Sequence, residues 1–137
     1  MSSSDEARLT KAIQNAEFKT SGEIRVHIEK ICKGDVVEAA KKKFAELNMH
    51  QTKDRNGILF YLAINSKSFA VWGDEGIHQK VTDEFWKSIT DCSISYFKKN
   101  EFVSGIEKAV EMCGEKLKYY FPIEADDKNE LSNEISY

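Results

Sequence analysis

The sequence predicts an α/β fold: a three-layer sandwich whose small mixed sheet of about three to four strands carries helices on both faces. Three observations lead there. GILFYLAI (residues 57–64) is apolar on both faces, as a strand covered above and below must be. EIRVHIEKI (residues 23–31) alternates, with Ile24, Val26 and Ile28 on one side and Arg25, His27 and Glu29 on the other, which fits a half-exposed strand near a sheet edge. Four other stretches place apolar residues at spacings of three and four, the period of an amphipathic helix.

In chain order, Ala7 or Leu9, Ala12, Ile13 and Ala16 mark a first helix that ends near Phe18, and Ser3-x-x-Glu6 has the form of a capping box at its start. TSGE (residues 20–23) turns into the alternating strand. Lys33-Gly34 then turns the chain into a second helix with Asp35 as N-cap and Val36, Ala40, Phe44 and Leu47 inward. A polar loop, residues 49–56, leads to the doubly apolar strand. NSK (residues 65–67) is a hairpin turn, so SFAVW returns antiparallel beside it. A helix starting near Ile77 or at a Thr82 cap carries Val81, Phe85, Trp86 and Ile89 and runs to about Phe97. A last helix after Asn100 carries Phe102, Ile106, Ala109, Val110, Cys113, Leu117 and Tyr120 until Pro122 stops it.

A chain of 137 residues, 41% hydrophobic with one proline, suits one domain over residues 1–122. Residues 123–137, acidic and poor in apolar side chains, are expected to be disordered. No apolar run approaches the roughly 20 residues of a membrane span, and the polar, acidic start is no secretory signal, so a cytoplasmic location without a direct membrane span is expected. Cys32, Cys92 and Cys113 are widely spaced and read as reduced thiols. A net charge of −3 with dispersed lysines offers no footprint for nucleic acid; the lysines at 41–43 fan out over a helix surface.

The strand, helix, strand order implies a parallel pair, and the hairpin adds the third strand in the order first, second, third. TSGE, DRNG (residues 54–57) and GDEG (residues 73–76) then meet at one end of the sheet. Thr20, Ser21, Glu23, Asp54, Asn56, Asp74 and Glu75 share that rim, with His50 and His78 nearby. Such oxygen donors suit calcium or magnesium, and Glu23, Asp54, Asn56, Asp74 and Glu75 are the candidate ligands. The same residues are also ordinary turn formers: Asp54 and Asn56 can bond their own loop, Asp74 can cap the next element, and Arg55 with backbone amides can balance the charge.

TSGEIRVHI, DRNGILFYLAINSKSFAVWGDEGI and YFKKNEFVSGIEKAVEM, in that order, resemble the TPM domain family. The resemblance implies a small sheet between helices. It further implies divalent cation binding at the acidic rim and, as described for plant members, acid phosphatase activity. Asp54, Asn56 and Gly57 match the family's DNG-like turn, interrupted here by Arg55; Gly73 and Gly76 match its glycines after the third strand. Many relatives carry an export signal and a membrane segment, and this chain shows neither, so a thylakoid role does not carry over.

Phosphoryl transfer needs a nucleophile or a metal-bound water and positive charge at the phosphate. The sequence has no cysteine with an arginine six residues on, no Asp-x-Asp and no Walker lysine loop. A rim-bound cation activating water, with Arg55 facing the phosphate, is the remaining route. Histidines 27, 50 and 78 lack ligand spacing, and His27 is expected at the surface or partly covered. Tyr119, Tyr120 and Phe121 are expected to clamp the last helix. The rival class is a non-catalytic interaction module with a basic or membrane-associated protein partner.

Overall fold

The computed structural model describes residues 2–123 and 135–137. Along the chain run α1 (Ser3–Glu17), β1 (Glu23–Glu29), α2 (Val36–Glu46), β2 (Gly57–Ala63), β3 (Ser68–Gly73), the single turn α3 (Glu75–His78), α4 (Asp83–Phe97) and α5 (Phe102–Tyr120). The sheet order is β1-β2-β3, with β1 parallel and β3 antiparallel to β2. The expected α/β sandwich and topology are therefore present. β2, apolar on both sides, is buried along its whole length.

One face of the sheet is the larger core. Ile24, Val26 and Ile28 of β1 and Ile58, Phe60 and Leu62 of β2 meet Leu9, Ile13 and Ala16 of α1, Phe85 and Ile89 of α4, and Ile106, Val110 and Leu117 of α5. The other face is closed by α2, where Ala40 packs with Tyr61, Ala63 and Ala70, and Phe44 with Met49 and Leu59. Asn48 and Asn100 follow the ends of α2 and α4 with φ of 57° and 60°, a left-handed stop that asparagine tolerates. Both of the expected starts after GDEG occur: Ile77 lies in α3, and Thr82 is the N-cap of α4.

Helices α1 and α5, far apart in sequence, are fastened together at several points. The Arg8 guanidinium pairs with Glu107 at 2.5 Å, Lys19 pairs with Glu115, and the Thr20 hydroxyl donates to Leu117 O at 3.1 Å. Gly114 permits the close approach: a Cβ there would lie 2.8 Å from Ala16 Cβ.

Three expectations need correction. The N-cap of α1 is Ser2, whose Oγ accepts from Asp5 N at 3.0 Å, one residue earlier than the capping box at Ser3. β1 is at the edge of the sheet but is not half exposed, for Glu23 and His27 are both buried. Tyr119 is 80% exposed and clamps nothing; Phe121 is the buried member of that trio. The expectation of a disordered tail falls mostly on residues 124–134, which lie outside the described residues; at the chain's end Ser136 pairs with β1 at His27 in a parallel bridge.

That bridge explains the burial of His27. Its Nδ1 stands 2.9 Å from Ser136 Oγ, its Nε2 2.8 Å from Glu29 Oε2, and its ring stacks on Tyr61 with centroids 5.4 Å apart. Burial lowers the imidazole pKa; the Glu29 bond opposes the shift, and the charges of Lys43 and Arg25 add to it. The folded protein thus takes up this proton at lower pH than the unfolded chain, whose histidine titrates near ~6.5. Its contribution to stability is full above that value and is lost as pH falls through it toward the folded pKa. Acidification from pH 7.5 to 5 is expected to lower the thermal midpoint of wild type relative to that of His27→Gln.

Candidate functional site

The register brings the starts of β1 and β2 and the end of β3 to one rim: Glu23 lies opposite Gly57, and Ile58 opposite Gly73. The loops before β1 and β2 and the turn after β3 meet there, as the topology requires.

Residues 54–57 and 73–76 are tied by their backbones. Asp74 N donates to Gly57 O and Gly76 N to Arg55 O, both at 2.9 Å. Arg55 takes a left-handed φ of 51°, and its N donates to Thr52 O while Asn56 N donates to Thr52 Oγ1. This bend aims the guanidinium at Asp74. Arg55 Nε donates to Asp74 Oδ2 at 2.7 Å and Nη2 to Oδ1 at 2.9 Å, a bidentate fork, while Glu75 N donates to the same Oδ1 at 2.8 Å. The bond to Asp74 raises the Arg55 pKa further, with the charges of Asp74 and Glu75 acting in the same sense. Glu75 meets Arg55 Nη1 at 3.3 Å but is largely exposed, as is Asp54. Asp74 is therefore both the N-cap of α3 and the anchor of Arg55.

Glu23 points elsewhere. Its carboxyl is hydrogen-bonded to that of Glu17, and Glu17 Oε2 accepts from Ile24 N at 2.9 Å. Burial first, and then the bond to Glu23, push the Glu17 pKa well above the usual carboxylate range, so the two groups hold a proton between them. Sequence reasoning missed Glu17. A signal was available, since an acid in the last turn of a helix with no basic residue there opposes the helix dipole and calls for a compensating partner.

Of the candidate ligands, Asp74 and Glu75 share Arg55, Glu23 is engaged by Glu17, and Asp54 is exposed. Asn56 is buried, with Nδ2 3.4 Å from Ser21 Oγ and with Oδ1 lacking a hydrogen-bond partner among the described residues. Among the described residues no three His, Cys, Asp or Glu side chains converge as a metal site requires. Thr20 and Ser21 serve the end of α5, where the Thr20 hydroxyl and Ser21 N donate to Phe121 O. His78 lies between Trp72 and Trp86, with ring centroids at 5.3 and 5.2 Å. A groove of about 890 Å³ between α4 and α5, floored by Phe85, Met112 and Tyr120, lies away from these loops.

The Glu17 proton has a thermodynamic consequence. A folded pKa raised above the unfolded value favours folding at low pH and loses that advantage as pH rises above the ordinary carboxylate range. Glu17→Gln keeps an acceptor for Ile24 N and supplies a donor to Glu23 without the charge. It is expected to be more stable than wild type at pH 8, where retaining the Glu17 proton costs stability, and level with it near pH 4. Urea unfolding at the two pH values checks this.

A family model described as the TPM domain matches residues 1–116, most of the chain and all of the rim. The chain belongs to the TPM domain family. This TPM domain is 40% identical to the BA42 protein from the psychrophilic bacterium Bizionia argentinensis, whose NMR structure it matches with a TM-score of 0.93 over 99% of this chain and 94% of that one. The N-terminal domain of the cg2496 protein from Corynebacterium glutamicum shares the fold at 13% identity, with a TM-score of 0.69 over 100% of this chain and 80% of that one. No curated protein matches. Among the described residues, no helix is long and apolar enough to cross a membrane.

Proposed function

We propose that this TPM domain acts as a non-catalytic protein-interaction module, working in the cytoplasm. The bidentate pair between Arg55 and Asp74 carries the reading. Arg55, the group that would face a phosphate, is spent on Asp74; Asp74, a prime cation ligand, is spent on Arg55. The rim's chemistry is thus turned inward, fixing the ends of β2 and β3 as a rigid frame.

One observation favours a second reading, in which a divalent cation, calcium or magnesium, activates water for weak phosphatase activity. The buried Asn56 Oδ1 without a partner is the sort of oxygen a hard cation recruits. Asn56 with Asp54, Glu75, Glu23 and Asp74 would hold the ion, which requires Arg55 to let go of Asp74 and turn to the phosphate.

Following thermal unfolding during calcium and magnesium titrations decides between them. A cation bound only by the folded state stabilises by about 2.7 kcal/mol at a hundredfold excess over its Kd. The module reading expects an unmoved midpoint and no metal-dependent hydrolysis of an aryl phosphate. A midpoint that rises, and ceases to rise in Asp54→Asn and Asp74→Asn, would replace it with the cation reading.

A further inference from the structure

Two strands of a three-stranded sheet are edges, and an uncovered edge offers unpaired N–H and C=O groups to any extended chain. The outer edge of β1 is occupied in two ways. At its start, Ile24 N is answered by a side chain, the Glu17 carboxyl. Further along, it is answered by main chain: Ser136 N donates to Val26 O and Ile28 N to Ser136 O, both at 2.8 Å.

Around those two bonds the surroundings read three successive side chains. Ile135 packs against the larger core. Ser136, on the opposite face, meets Nδ1 of the fully buried His27, and the Tyr137 hydroxyl donates to Glu6 on α1. With Nε2–H directed at Glu29, the neutral imidazole presents Nδ1 as an acceptor for a hydroxyl hydrogen. The alternation of apolar, hydroxyl and aromatic contacts is that of a short added strand, in which backbone bonds give affinity and alternate side chains give selectivity.

We propose that the outer edge of β1 is a strand-acceptor site for a partner protein's extended segment bearing an apolar residue, Ser or Thr, and Tyr in succession. Residues Ile135–Tyr137 fill it in cis and keep it closed to weaker competitors. This rests on the interaction-module reading and names its partner class. The occupant on the edge supplies the recognition chemistry: an acceptor nitrogen, an apolar recess and a carboxylate for a phenol. The hold in cis is local, two backbone bonds and one side-chain contact from each of residues 135–137, so an incoming segment has only those contacts to displace. Being on the same chain, the resident segment competes at an effective concentration on the order of millimolar.

The test uses the full chain and a labelled peptide of residues 129–137, NELSNEISY, followed by fluorescence anisotropy. Ser136→Pro in the protein removes the N–H that bonds Val26 O and frees the edge. The freed protein is expected to bind the peptide at least tenfold more tightly than wild type, and to lose that binding when the peptide's own serine, equivalent to Ser136, is replaced by proline. A variant that unfolds cooperatively yet binds no better than wild type overturns the proposal. Should Ser136→Pro fail to fold, hydrogen exchange in the wild type takes its place: the Ile28 amide is expected to exchange at least tenfold faster than the Phe60 amide, and exchange only by global unfolding overturns the proposal. Neither outcome touches the cation titration, so the site can fail while the module reading stands.

Discussion

Gly76→Ala is expected to destabilise the domain by about 3 kcal/mol, the upper end of what overpacking a tight contact costs. Helix propensity alone points the other way, since alanine in place of glycine inside a helix gains roughly 1 kcal/mol. Sterics decide. A Cβ at position 76 would lie 2.3 Å from Asp54 O and 2.6 Å from Arg55 O. Both neighbours are backbone, so no side chain can swing aside. The turn must back away from residues 54–57, breaking the bond from Gly76 N to Arg55 O and drawing Asp74 from the guanidinium. Urea unfolding measures the loss, and a variant as stable as wild type would show that the two loops are not in contact.

Asp74→Ala is the second large effect, a loss of about 2 kcal/mol. About 1 kcal/mol comes from the missing N-cap of α3, and a similar amount from the charge-assisted bonds to Arg55, discounted because Arg55 is partly open to water. Asp74→Asn retains an acceptor for Glu75 N and is expected to lose about half as much. The difference between the two variants, read from denaturation at low and at high salt, separates the cap from the ion pair, for only the pair is screened.

The sheet was legible because each strand stated its own surroundings. Residues 57–63 are apolar on both faces and could only be central; the hairpin at 65–67 fixed its neighbour, and a helical crossover fixed the parallel one. Topology then placed the three loops on one rim without side-chain detail. What the side chains do there was not legible. Whether Arg55 turns to a ligand or to Asp74 depends on one left-handed φ, which residue type does not announce. The alternation in β1 made His27 look exposed because the segment covering it lies 109 residues away and belongs to a stretch whose composition suggests no structure. Glu17 was overlooked for a related reason, since its partner Glu23 lies across a chain reversal that brings two like charges together.

The fastening of α1 to α5 also sets the order in which the molecule can assemble. The β2–β3 hairpin and the α4–α5 pair join neighbours in sequence, whereas the contacts of Thr20 with Leu117 and of Arg8 with Glu107 close loops 97 and 99 residues long. Ring closure over about 100 residues costs roughly 4 kcal/mol of chain entropy before any contact is gained. Hairpin and helical pair can therefore form on their own account, whereas the first helix, in touch with β1 nearby in sequence, completes its packing only once the last is set against the sheet. Substitutions that part Ala16 from Gly114 are therefore expected to slow refolding as well as to weaken the finished structure, which stopped-flow refolding measures.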